Sequence, residues 1–128
     1  MAQTGSVLLI DAANVIGSRP TGWWRDRAGA ARAFVGQVQA AVRSGRIAQP
    51  VVVVLEGKAR DGARAGSGDG VTIIHADRSG DDTLVDVVGN AADQPVMLVT
   101  ADRELRRRAE ALGAEVVGPG WLLELLES

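Results

Sequence analysis

The chain has no cysteine and no tyrosine, and among its 128 residues only one phenylalanine, one histidine (His75) and one lysine (Lys58). Without cysteine there is no disulfide framework, no thiolate metal site and no thiol nucleophile. The lone histidine stands at the end of a strand-like run, and no serine or cysteine nucleophile is paired with it. His75 therefore reads as a structural or rim residue and not as a general base. No apolar run approaches the roughly 20 residues that cross a bilayer. The opening MAQTGS has no basic segment ahead of the first apolar run, so no signal peptide is expected and the chain reads as soluble and cytoplasmic. The net charge of −2 gives no global positive field to draw in a polyanion. The cations are almost all arginine, whose planar forks suit phosphate, although an Arg-, Ala- and Gly-rich composition also follows from genome base composition.

The length suits a single domain over residues 1–128, and the 46% hydrophobic content is ample for a core. Continuous apolar runs at residues 6–10, 51–55, 71–75, 96–99 and 114–117 predict strands buried on both faces. Between them, apolar residues at three-to-four spacing predict helices from Trp23 to about Val42, from Ser79 or Asp81 to about Gly89, and from Arg103 to Leu112. A terminal helix follows GPG. Residues 12–22 and the glycine-rich segment 57–70 read as loops, the second as a linker or a lid that touches substrate. Alternation of this kind predicts an α/β fold, a three-layer α/β/α sandwich around a central parallel sheet of about five strands.

An acidic residue follows every one of these apolar runs except the last. Asp11 ends VLLID, Glu56 follows VVVVL, Asp81 and Asp82 follow the third run, and Asp102 follows VMLVTA. In a parallel sheet the C-terminal ends of the strands share one edge, where ligands bind. Each carboxylate taken singly is also explained as a helix or turn cap. Together they place four separate acidic sites on one edge, and carboxylates brought together repel unless a cation lies between them. Mg²⁺ or Mn²⁺ is the expected ion, since both prefer hard oxygen ligands. The predicted metal ligands are Asp11, Asp81, Asp82, Asp102 and Glu56. Asp81 lies nearest the buried stripe of its helix, Asp82 and Asp86 lie to the side, and Glu56 is alternatively a partner of Lys58 or Arg60. Thr100 is placed to hold a carboxylate or a bound water. Such a site suits phosphodiester hydrolysis.

The segments LLIDAANVIG, VVVVLEG, SGDDTLVDVV and LVTADRELRRRAEALGAEVVG resemble, in order and over nearly the whole chain, the NYN family of PIN-like nucleases, in particular its YacP-like bacterial branch. The resemblance implies a metal-dependent endoribonuclease on a PIN-like fold. It implies catalytic roles for Asp11, Asn14, Asp81 and Asp102, with RNA as substrate and the ribosome or translation machinery as candidate partners. Three positions depart from the family pattern: Ala13 stands where a tyrosine is usual, Gly80 where alanine is common, and Glu56 where aspartate is frequent.

Arg19, Lys58 and Arg103 are expected to reach substrate phosphates, with Thr100 beside them. Of the adjacent Trp23 and Trp24, one is expected in the core, and the other either packs or stacks on a base. Trp121 is expected to pack within the terminal helix, whose apolar WLLELLE leaves a homodimer open. The competing reading is an RNA- or ribosome-binding module with a nuclease-like fold and little catalysis. A phosphatase of the haloacid dehalogenase type is disfavoured because Ala13 breaks D-x-D, and a phosphoreceiver because no lysine follows a late strand. No glycine-rich nucleotide-binding loop follows the first strand.

Overall fold

Strand β1 (Val7–Asp11) lies in the middle of a six-stranded sheet. On one side it pairs in parallel with β2 (Val51–Leu55), which pairs in parallel with β4 (Val71–His75). On its other side it pairs in parallel with β5 (Val96–Val99), which is followed by β6 (Glu115–Val117). A short β3 (Gly66–Gly68) pairs antiparallel with β4 and completes the order β3-β4-β2-β1-β5-β6. This computed structural model describes residues 6–48, 50–91 and 93–127. The expectation about a signal peptide rests on residues 1–5, which lie outside the described residues.

Alternation along the strands sorts the core into two layers. Leu8, Ile10, Val51, Val53 and Leu55 face α1 (Ala12–Gly17), α2 (Arg27–Arg43) and α5 (Pro119–Leu126), where Val15, Phe34, Val38 and Leu122 meet them. Val7, Leu9, Val54 and Leu98 face α3 (Gly80–Asn90) and α4 (Arg103–Ala111), packing on Leu84, Val88 and Leu105. The expected three-layer sandwich is therefore present, around a mixed sheet of six mostly parallel strands. Among the described residues no helix is long and apolar enough to cross a membrane.

Three local expectations are corrected. Residues 12–17 are a helix, because the Asp11 carboxylate caps the turn at Asn14 while Ala12 and Val15 bury into the core. The helix expected from Trp23 is split: Trp23–Arg25 form a 3-10 turn, then Asp26 leaves the helical conformation and accepts from Gly29 N at 2.9 Å to start α2. The glycine-rich segment is not a free loop. Gly57–Gly62 form a 3-10 turn against α2, where a Cβ on Gly62 would run into Ala31 and the backbone at Arg32. Asp69 and Gly70 then take positive φ values of 55° and 83°, the geometry of a two-residue hairpin turn, and return the chain from β3 into β4.

Candidate active site

The chain leaves β1 toward β2 and β4 on one side and reaches β5 and β6 on the other, so the order of strands reverses between β1 and β5. Such a reversal opens a crevice at the C-terminal ends of the strands. Asp11 and Thr100 meet across it. Asp11 has the same parity as Val7 and Leu9, so its side chain turns to the α3/α4 face. Glu56, by the same parity beyond Val52 and Val54, turns to that face too.

Asp11 is 5% exposed and Thr100 3%, and among the described residues they are the buried polar or charged side chains. Thr100 Oγ1 donates to Asp11 Oδ2 at 2.9 Å and accepts from Asp102 N at 3.1 Å. The hydroxyl thus ties the end of β1 to the start of α4. Asn14 donates its backbone N–H to Asp11 Oδ1 at 3.4 Å, and its side-chain Oδ1 accepts from Ala101 N at 2.8 Å. Asn14 therefore staples α1 to the segment between β5 and α4. Asp102 caps α4, accepting from Leu105 N at 3.0 Å. The capping and functional readings of these residues are compatible, because each cap holds a carboxylate at the edge.

Glu56 crosses to the N-terminus of α3, where its Oε1 accepts from Gly80 N at 3.1 Å. A Cβ on Gly80 would overlap that oxygen, so the longer acid and the absent methyl fit one another. Asp81 follows directly, and its carboxylate accepts no hydrogen bond from the described residues. Asp82 turns outward to Arg108, at 3.0 Å.

Burial pushes the Asp11 carboxyl up to about 6, against the pull of Thr100 and Asn14, and the charges of Asp81 and Glu56 raise it further. Asp81 is also raised, first by burial, then by Asp102 and Asp82, with Arg108 acting the other way. The carboxylates therefore feel one another across the crevice. Their chemistry fits a hard divalent cation. They do not form a finished shell: among the described residues, no three acidic or histidine side chains converge to hold an ion.

Of the expected substrate contacts, Arg103 is exposed at the start of α4 next to Asp102, and Lys58 is exposed on the turn after Glu56. Arg19 instead pairs with Glu127, past the end of α5 on the other face of the sheet. Arg106 and Arg107 pair along their own helix with Glu110 and Glu104. His75 Nε2 bonds the Ala63 carbonyl at 2.7 Å and braces the β3 hairpin. The Glu56–Gly80 contact and the Asn14–Ala101 staple escape sequence reasoning, because each joins residues that are distant along the chain.

The architecture is similar to crystal structures of Rae1 (YacP) from Bacillus subtilis. The W164L mutant of that protein superposes with a TM-score of 0.71 at 19% identity, over 95% of this chain and 75% of the other. A second structure of Rae1 (YacP) gives 0.67 at 19% identity, over 94% and 73%. The chain has a YacP-like fold. No family model matches it, and no curated protein does.

Proposed function

We propose that this protein is a metal-dependent endoribonuclease whose site is the acidic crevice between β1 and β5. One observation carries the reading: a buried aspartate stands at the switch point of the sheet, held by a buried threonine, with two further carboxylates raising its pKa. Carboxylates that raise one another's pKa with no cation between them are costly to the fold, and shifts of this kind cluster at functional sites.

Asp11, Asp81 and Asp102 would hold Mg²⁺ or Mn²⁺, with Glu56 and Asp82 at the margin. A hard divalent ion supplies charge neutralisation, activation of water and stabilisation of the transferring phosphate. Thr100 fixes Asp11 in orientation, and Asn14 holds the strand end against the α4 start. Arg103 and Lys58 supply positive charge for the RNA backbone. The alternative is an RNA- or ribosome-binding module with little catalysis, favoured by the lack of three converging ligands among the described residues.

Incubating the protein with end-labelled structured and single-stranded RNA in Mn²⁺, Mg²⁺ or EDTA, beside Asp11→Asn, tests the proposal. Metal-dependent cleavage that disappears in the variant is the expected result. RNA binding with no cleavage under any condition would replace it with the binding module.

A further inference from the structure

On the α1/α2 side of the strand ends lies an aromatic and basic surface whose tryptophans and arginines the proposed cleavage does not use. Trp23 and Trp24 stand edge to face, with ring centroids 5.9 Å apart. Trp23 is the anchor. It is partly buried against Gly17 and shares a hollow of about 170 Å³ with Ile16, Arg27 and Glu56, the residue at the end of β2 whose carboxylate reaches α3. Trp24 is not a core residue, being 52% exposed. The Arg25 guanidinium lies 5.9 Å from the Trp24 ring centroid, and that of Arg27 lies 5.6 Å from the Trp23 centroid. A second hollow, of about 470 Å³, brings Trp24, Arg25 and Arg27 together with Lys58. Two carboxylates share it, Asp26 and Asp61. Asp26 caps α2 through Gly29 N, and the three cations outnumber the two carboxylates.

We infer that this surface is a subsite for an unpaired nucleotide of single-stranded RNA, with a base stacked on Trp24 and the flanking phosphates met by Arg25, Arg27 and Lys58. The inference rests on the ribonuclease reading and gives it a substrate class. An exposed indole held by a second indole is a rigid stacking platform, and every base offers it a π-face. In a duplex those faces are already stacked, so the platform selects single strands. Arginines that lie against indole rings are held where a polyanionic backbone follows the base. Both hollows include Arg27, so a strand seated on Trp24 continues past Trp23 toward the end of β2 at Glu56.

The test is fluorescence anisotropy of a labelled single-stranded oligoribonucleotide in EDTA, where cleavage is blocked, with an unlabelled duplex of the same sequence as competitor. Trp24→Ala should weaken binding about tenfold, while Trp24→Phe stays within a few-fold of the parent and the duplex competes poorly. Lys58→Glu, on an exposed turn, should also weaken binding several-fold, and does not depend on how the Trp24→Ala protein folds. Unchanged binding in a folded Trp24→Ala protein overturns the inference whatever Lys58→Glu does, as does equal affinity for the duplex. Absence of metal-dependent cleavage with the Trp24 effect intact would remove the nuclease reading alone. Cleavage by a protein whose binding ignores Trp24 would remove the subsite alone.

Discussion

Replacing Asp11 by asparagine should stabilise the protein in EDTA while abolishing the proposed cleavage. The Asp11 carboxyl is raised from 3.8 to about 6, chiefly by burial. The folded state therefore holds a proton that the unfolded chain has released between about pH 4 and 6, and stability falls as pH rises through that window. A rise of this size corresponds to about 3 kcal/mol lost once the group is ionised in both states. Asparagine has the same shape and still accepts from Thr100, but it turns an NH₂ toward Asn14 N and gives up the cap seen at 3.4 Å. Loss of a cap costs about 1 kcal/mol, so the net gain at pH 7.5 is about 2 kcal/mol. Urea unfolding in EDTA, followed by tryptophan fluorescence from pH 4 to 8, measures it. The two proteins should differ most above pH 7, and the gain should vanish near pH 4, where the cost of the lost cap remains. A variant no more stable than the parent at pH 7.5, or a difference that does not change with pH, would refute the account of Asp11 as a strained ionised group.

On the proposed reading, the same strain should make the parent sensitive to cations. Millimolar Mn²⁺ should raise its melting temperature at pH 7.5 in proportion to the logarithm of concentration, and should leave Asp11→Asn unmoved in a thermal melt. Gly80→Ala drives a methyl into Glu56 Oε1, the end of a flexible side chain that swings away and gives up the Gly80 N–H, which should cost about 0.5–1.5 kcal/mol and lower the proposed cleavage by displacing the Glu56 carboxylate. Glu56→Asp in the same chain withdraws the oxygen, so a double-mutant cycle should show rescue rather than addition. Thr100→Val removes the hydroxyl that donates to Asp11 and accepts from Asp102 N, and should cost about 1.5–3 kcal/mol. Because that bond lowers the Asp11 pKa, carboxyl titration by NMR should find it higher still in the valine protein.

The layered fold and the acidic edge were legible in the sequence because both depend on local pattern. Unbroken apolar runs such as VVVVL mark strands covered on both faces, and the residue that follows each run is placed on the C-terminal edge by the parallel arrangement alone. Asp11, Glu56, Asp81 and Asp102 could therefore be assigned to one edge without coordinates. Errors arose where short-range chemistry was misread: Asp11 caps a helix that looked like a loop, Asp26 interrupts a helix that looked continuous, and Asp69–Gly70 turn a supposed linker into a hairpin. What pattern could not supply was pairing across the sheet. Sequence does not say that the strand order reverses between β1 and β5, that Thr100 reaches Asp11 from 89 residues away, or that Glu56 fits because Gly80 lacks a methyl group. Nor does it say that Arg19 turns to Glu127 instead of the crevice. Periodicity fixes which face a side chain presents, since that follows from backbone geometry within a few residues. Which side chains meet is decided only when helices and strands distant along the chain pack together and their buried polar atoms must find partners.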